Sequence, residues 1–117
     1  KSEYNLGYFT KFGDGAADIL PIVSLYKIQV REIAKYLGVP DNIIRKKSSP
    51  NLWPNHIAES EIGVTYEEID CVLYCLIDKK ITINETVAQT QIKEETVQKI
   101  YQLYKKSEHK RITPEHL

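Results

Sequence analysis

The apolar residues of the second half of the chain repeat with helical spacing. Thr65 and Glu68 have the spacing of a capping box, in which a hydroxyl and a carboxylate bond the first backbone amides of a helix. The stripe that follows has the i, i+3, i+4, i+7, i+8 spacing of one helical face and consists of Ile69, Val72, Leu73, Leu76 and Ile77. Thr82 and Glu85 form a second box in front of Val87 and Ala88. A last helix is predicted from Val97, Ile100, Tyr101 and Tyr104, and it ends at Lys105 and Lys106.

A further helix is predicted in the first half. Its face consists of Tyr26, Val30, Ile33 and Leu37. Ser24 is suited to cap the beginning of this helix, and Gly38 to end it. Pro40 then opens a second short helix through Arg45, because its fixed φ suits a first helical position.

The remaining segments predict a strand and a loop. Residues 19–23 (ILPIV) are a short apolar run that indicates a strand end, and Pro21 restricts it to an edge or a terminus. Residues 46–63 have no period and predict a long loop around Trp53, of the length typical of lids and binding loops. A mostly helical segment with one short strand favours the α/β class over a purely helical one.

Composition excludes several classes of protein. The 117 residues make one domain at most, and the 16 basic and 16 acidic side chains cancel. This balance argues against a protein that coats nucleic acid or an anionic membrane. No membrane span or signal peptide is present, so a cytoplasmic location is expected. The chain contains no Met and begins with Lys1, which predicts that it is part of something longer.

Two side-chain clusters have simple structural explanations. Cys71 and Cys75 lie one helical turn apart, but zinc needs about four ligands and no partner has suitable spacing, so structural thiols are favoured. The basic cluster Lys105, Lys106, His109, Lys110 and Arg111 suits either a phosphate or a solvated helix end.

The three histidines, His56, His109 and His116, have no nucleophile arrangement nearby, and His56 is expected to be solvated.

The first segment of the chain offers a possible phosphate site. Lys11, Asp14 and Asp18 surround a double-glycine turn, and Lys27 lies just inside the first long helix. A lysine beside free backbone amides at a helix start is suited to bind a phosphate. Neither standard glycine-rich phosphate loop is present in the sequence.

Taken in order, these residues resemble the C-terminal half of the NAD synthetase family. The most specific stretch is GYFTKFGDG at residues 7–15. Shorter matching stretches are KSE (1–3), DILP (18–21), LYK (25–27), KYLGVP (35–40), NLWP (51–54), GVTYEEID (63–70) and EHKR (108–111). The resemblance covers nearly the whole chain with matching spacing.

The resemblance implies an ATP-pyrophosphatase-type amidoligase with a Rossmann-like three-layer α/β fold, normally a homodimer. Such a ligase adenylates deamido-NAD with ATP and Mg²⁺, and ammonia then displaces AMP to give NAD. Residues 1–117 would be the C-terminal portion of the single synthetase domain, without its phosphate-loop half. No nucleic acid or membrane partner is implied.

The resemblance also implies roles for individual residues. Glu3 matches the magnesium-binding Glu, Lys27 a lysine on the ATP phosphates, and Ser49 an ATP-contacting Thr. The residues that match deamido-NAD contacts are Lys11, Asp18, His109 and Lys110.

Two departures from the family pattern are visible. The S-G-G-x-D-S phosphate motif is absent from these 117 residues, so the segment by itself is expected to be inactive. In the long loop, PNHIAESEIG at residues 54–63 replaces the common PGQTDEDELG and loses an acid at Ala58. The alternative interpretation is a non-catalytic helical interaction or dimerisation module derived from the family.

Overall fold

Helices provide all the regular secondary structure of residues 1–112, the part of the chain that this computed structural model describes. His116 lies outside the described residues. The helices are α1 (Ser2–Leu6), α2 (Lys27–Tyr36), α3 (Asp41–Ile44), α4 (Ala58–Ile62), α5 (Tyr66–Leu73), α6 (Ile83–Thr90), α7 (Glu94–Lys106) and α8 (Glu108–Arg111), and a π-helical turn (Tyr74–Asp78) continues α5. The mostly helical character agrees with the sequence prediction.

The core is built around α5. Its predicted capping box is present, since the Thr65 hydroxyl accepts a hydrogen bond from the Glu68 backbone amide. Helix α5 packs against α1, α2, α6 and α7. The most deeply buried apolar side chains come from α5 and α7 and are Tyr66, Ile69, Val72, Leu73, Val97 and Ile100. The second predicted box, Thr82 with Glu85, is also present at the start of α6.

The end of the α5 stripe differs from the prediction. The helix widens after Leu73 into the π-helical turn, where Cys75 is buried. Leu76 and Ile77, the last residues of the predicted stripe, are half buried and pack against the core. Cys71 is exposed. Within residues 1–112, no group of three or more side chains that could hold a metal ion is found.

The predicted strand at residues 19–23 is wrong. The segment forms turns, and the side chains of Ile19 and Ile22 are 76% and 56% exposed. A strand requires a neighbouring backbone to pair with, and residues 1–112 contain no strand that offers one. The Rossmann-like fold therefore stays a prediction.

Helix α2 begins later than predicted. Its N-cap is Tyr26 rather than Ser24, and the Gln29 side chain accepts a hydrogen bond from the Tyr26 amide. Tyr26 is buried, but the predicted core residues Ile33 and Leu37 are 42% and 70% exposed. Helical periodicity in the sequence predicts an apolar face, but it does not predict which part of that face is buried. The exposed surface continues through Tyr36 and Ile43.

In the described part of the chain, no helix combines the length and apolar character that a bilayer crossing requires. The long segment 46–63 is not wholly irregular either, because it contains α4. The left-handed Gly63 ends that helix, one residue before the buried Val64.

Gly7 lets the start of the chain lie against its end. It has φ +70°, and an added Cβ would lie 2.1 Å from the Cβ of Ser107. Ser107, between α7 and α8, donates a hydrogen bond to the Asn5 carbonyl at 3.2 Å. The close approach therefore joins α1 to the α7–α8 junction.

We expect Gly7→Ala to lower the free energy of unfolding by about 2–4 kcal/mol. The added Cβ would overlap Ser107, and an alanine is strained in the left-handed conformation. Gly38→Ala is the matched control, because Gly38 also has positive φ, +74°, but nothing lies within 4 Å of its added Cβ. The control should lose only about 1–2 kcal/mol. Urea unfolding measures both, and equal losses would contradict the close contact.

Candidate functional site

A carboxylate, an ammonium group and a phenol meet where α1, α2 and α5 begin. The Oε1 atom of Glu3 accepts a hydrogen bond from Lys27 Nζ at 3.1 Å and from the Tyr66 hydroxyl at 3.0 Å. The Glu3 side chain is 43% exposed and that of Lys27 is 27% exposed. The structure thus brings together two residues whose roles the sequence suggested, with a third that sequence analysis treated only as part of a helix.

Asp70 of α5 fixes the beginnings of α1 and α2. One of its carboxylate oxygens accepts from the Ser2 hydroxyl, and the other accepts from the Ile28 amide at 2.9 Å. Ser2 Oγ in turn accepts from the Lys27 amide at 2.9 Å. Burial raises the pKa of Asp70, and the Ser2 and Ile28 hydrogen bonds oppose that rise. This network sets the backbone positions from which Glu3 and Lys27 extend.

A cleft of about 300 Å³ lies beside the Glu3–Lys27 pair. Tyr8, Phe9 and Asp14 line it, together with the apolar turn at residues 20–23 that was predicted to be a strand. The cleft therefore combines an apolar wall with a carboxylate and an ammonium group. This is the usual composition of a small-molecule site.

The end of the described chain folds back on the glycine-rich segment. Lys11 Nζ donates a hydrogen bond to the His109 carbonyl at 2.6 Å. Lys110 Nζ donates to the carbonyls of Gly7 and Phe9 at 2.7 and 2.8 Å. Three of the four residues expected at deamido-NAD are thus neighbours. Phe9 connects them to the cleft, because its side chain lines it.

The remaining two predicted residues lie apart from these contacts. Asp18 is exposed on the turn that follows the glycine-rich segment. The Ser49 hydroxyl bonds locally, to Asn51 Oδ1 at 3.1 Å and from the Asn51 amide at 3.0 Å. The structure does not bring either residue into the two groups described above.

His56 is buried, and the expectation of a solvated loop histidine is wrong. Its residue exposure is 4%, and its ring stacks on Trp53 with the centroids 3.4 Å apart. Its Nε2 lies 2.6 Å from a Glu61 oxygen that also accepts from the Tyr8 hydroxyl. Tyr8 and His56 are 48 positions apart in the chain, so no sequence spacing indicated that the two side chains meet at Glu61.

The contacts of Glu61 with Tyr8 and His56 connect the long loop to the cleft wall. Hydrogen bonds from Tyr8 and His56 lower the pKa of Glu61. Burial, followed by the Glu61 hydrogen bond and charge, raises the pKa of Tyr8 to about 12. The phenol therefore remains a donor and Glu61 an acceptor throughout the neutral range.

We expect low pH to weaken the contacts of Glu61 with Tyr8 and His56. Because the folded-state pKa of Glu61 is lowered, its stabilising contribution is present above the ordinary carboxyl pKa of 4.5 and is lost as pH falls through the lowered value. Fluorescence of Trp53, the single Trp, should change over that acid interval. Glu61→Gln removes the titrating carboxylate and should give at neutral pH the Trp53 fluorescence that the parent gives in acid. Glu32→Gln is the matched control, because the Glu32 carboxylate pairs with Lys35 on the exposed surface of α2, and it should keep the parent's fluorescence. If Trp53 fluorescence changed with pH in the same way in the parent and in Glu61→Gln, the proposed role of Glu61 in this connection would be contradicted.

Comparison with known proteins identifies the family. The family model described as NAD synthase matches residues 1–114. The chain belongs to the NAD synthase family. The chain is 52% identical over 114 residues to an NH(3)-dependent NAD(+) synthetase of Hyperthermus butylicus, covering 97% of the chain and 41% of that relative. It is 46% identical over 114 residues to the enzyme of the same name from Pyrococcus horikoshii, covering 97% of the chain and 44% of that relative.

A solved structure named NMN synthetase, from Francisella tularensis, is also similar. It shares 42% sequence identity with a TM-score of 0.77, over 99% of this chain and 43% of that one. The chain therefore spans about two fifths of the length of these relatives. The relatives from Hyperthermus butylicus and Pyrococcus horikoshii are NAD(+) synthetases, whereas the solved structure is an NMN synthetase.

Proposed function

We propose that this chain forms the C-terminal portion of the synthetase domain of an NH(3)-dependent NAD(+) synthetase. The observation that carries the proposal is the meeting of Glu3 and Lys27 beside an apolar cleft. The names of the curated relatives support ammonia as the nitrogen donor and NAD as the product. ATP, deamido-NAD and ammonia are the proposed substrates.

The proposed chemistry requires an activated carboxylate. The nicotinate carboxylate of deamido-NAD attacks the α-phosphorus of ATP, and pyrophosphate leaves. Ammonia then attacks the acyl carbon, AMP leaves, and the nitrogen gives up one proton to solvent to become the amide. Lys27 donates to the phosphate oxygens, where an ammonium group offsets negative charge that increases during the transfer.

Glu3 fits the proposed magnesium role. Mg²⁺ in nucleotide sites is usually bound by one or two carboxylates together with phosphates and waters. Glu3 provides one partly exposed carboxylate, and within residues 1–112 its Oε2 accepts no hydrogen bond. When bound, the cation would neutralise phosphate charge. Glu3 would hold it, and Lys27 would be released to the nucleotide.

The other predicted residues keep proposed roles in substrate binding. Lys11, His109 and Lys110 form one neighbouring group, which supports a joint role in holding deamido-NAD. Asp18 on that substrate and Ser49 on ATP are proposed from the family resemblance alone. The homodimer and the cytoplasmic location also stay predictions.

Two further candidates have a specific observation behind them. The neighbour named NMN synthetase supports a mononucleotide acid as the competing substrate. The exposed apolar surface around Ile33, Tyr36, Leu37 and Ile43 supports the non-catalytic interaction module.

One assay separates the three candidates. The complete protein that contains this chain is given ATP, Mg²⁺ and ammonia with either deamido-NAD or nicotinate mononucleotide, and AMP and the amide product are quantified. Faster AMP release with deamido-NAD is the expected result. Preference for the mononucleotide would reassign the substrate, and no AMP from either would contradict the ligase and favour the interaction module.

A further inference from the structure

Tyr66 is the buried member of the cluster that contains Glu3 and Lys27. Its residue exposure is 0%, yet its hydroxyl reaches Glu3 Oε1 at 3.0 Å. This is the oxygen that also accepts from Lys27 Nζ. Two donors therefore hold one oxygen of a carboxylate whose other oxygen accepts no hydrogen bond from residues 1–112.

The position of Tyr66 is fixed from several directions. Its backbone amide donates to a Glu59 carboxylate oxygen at 2.9 Å. Its ring faces Lys27 Nζ at 5.3 Å from the centroid, a distance typical of a cation–π contact. Tyr66 thus connects the starts of α1 and α2 with the long loop.

The two donors to Glu3 differ in what a bound nucleotide does to them. Lys27 carries a charge that phosphate oxygens attract, so phosphate binding draws it away from Glu3. The Tyr66 hydroxyl is uncharged, so phosphate oxygens do not attract it as they attract an ammonium group, and its hydrogen bond to Glu3 is kept. After Lys27 moves, the Tyr66 hydrogen bond is left to orient the carboxylate.

We propose that Tyr66 is a positioning residue that holds the Glu3 carboxylate in place for the cation of a metal–nucleotide complex. The proposal rests on the proposed function, because Glu3 and Lys27 have these tasks only in a nucleotide site. Tyr66 does not touch the substrates. It acts through Glu3.

The test removes only the hydroxyl. In the complete protein, Tyr66→Phe is compared with the parent by thermal stabilisation in saturating ATP with increasing Mg²⁺, since a ligand that binds the folded state raises stability by mass action. We expect the Mg²⁺ concentration for half-maximal stabilisation to rise about tenfold, the effect of losing one hydrogen bond to a charged group. Excess Mg²⁺ should restore kcat in the amidation assay.

Tyr26→Phe is the matched control. Tyr26 is 5% exposed and its hydroxyl donates to an Asp78 oxygen at 3.0 Å, so the same atom is lost from another buried phenol–carboxylate pair. Its Mg²⁺ requirement should not change. No rise with Tyr66→Phe, or an equal rise with Tyr26→Phe, would overturn the positioning role.

A third variant distinguishes a failure of the Tyr66 positioning role from a failure of the proposed nucleotide site. Glu3→Gln should raise the Mg²⁺ requirement at least as much as Tyr66→Phe, and adding Tyr66→Phe to it should have no further effect. A further, additive rise in the double variant would overturn action through Glu3. Absence of any Mg²⁺-dependent stabilisation in the parent would instead contradict the proposed nucleotide site.

Discussion

Replacing Lys27 by Ala in the complete protein should lower kcat/KM for ATP by at least about 100-fold. Lys27 lies at the first position of α2 and lines the cleft, and its Nζ atom donates to Glu3. Its loss removes the positive charge proposed for the nucleotide phosphates. Stability should change by no more than about 1 kcal/mol, because the pair with Glu3 is partly exposed and Ala is a good helix former. AMP release and urea unfolding measure the two effects separately.

Lys35→Ala is the matched control on the same helix. Its ammonium group pairs with Glu32 at 2.5 Å, and both side chains are more than half exposed. Its activity should equal that of the parent. Unchanged turnover in Lys27→Ala would remove Lys27 from the site, and a comparable loss in both variants would indicate damage to α2 rather than a missing phosphate contact.

Replacing Asp70 by Ala should lower the free energy of unfolding by about 2–4 kcal/mol. The carboxylate accepts from the Ser2 hydroxyl and the Ile28 amide, and removing it leaves both donors without this acceptor. Asp70→Asn keeps one acceptor oxygen and should lose less. Because the same network positions the residues beside the cleft, the Ala variant should also bind Mg²⁺ and ATP more weakly. Urea unfolding and nucleotide-dependent thermal shifts measure these losses.

Glu67→Ala tests whether the loss is specific to the buried carboxylate. Glu67 lies on the same helix, but its side chain is 61% exposed and its partner is Arg31, at 2.9 Å. Exposed ion pairs contribute about 0–1 kcal/mol, so the control should be nearly as stable as the parent. Similar losses in both variants would contradict the role of Asp70 as the anchor of α1 and α2.

The contacts of the site illustrate the limit of sequence analysis. Glu3 was singled out by resemblance alone, whereas Lys27 and Lys11 were singled out both by their places at a helix start and a glycine turn and by resemblance. None of these signals indicated which side chains meet. Tyr66 was missed because an aromatic residue beside a capping box is ordinarily a core residue. A weak signal was present, since a tyrosine carries a hydroxyl that needs a partner when buried. His56 was misjudged because loop position is a poor guide to burial.

The sequence by itself determined the local elements: both capping boxes, the α5 face through Leu73, and the stop at Gly38. These depend on hydrogen bonds and side-chain spacing within a few residues, which any helix of that sequence reproduces. Tertiary structure alone decided that residues 19–23 form an exposed turn, and that the Tyr66 hydroxyl reaches Glu3 across 63 positions. It also decided that Gly7 lies against Ser107. Such contacts depend on how distant segments pack around a shared core, and no local preference in the chain specifies that arrangement.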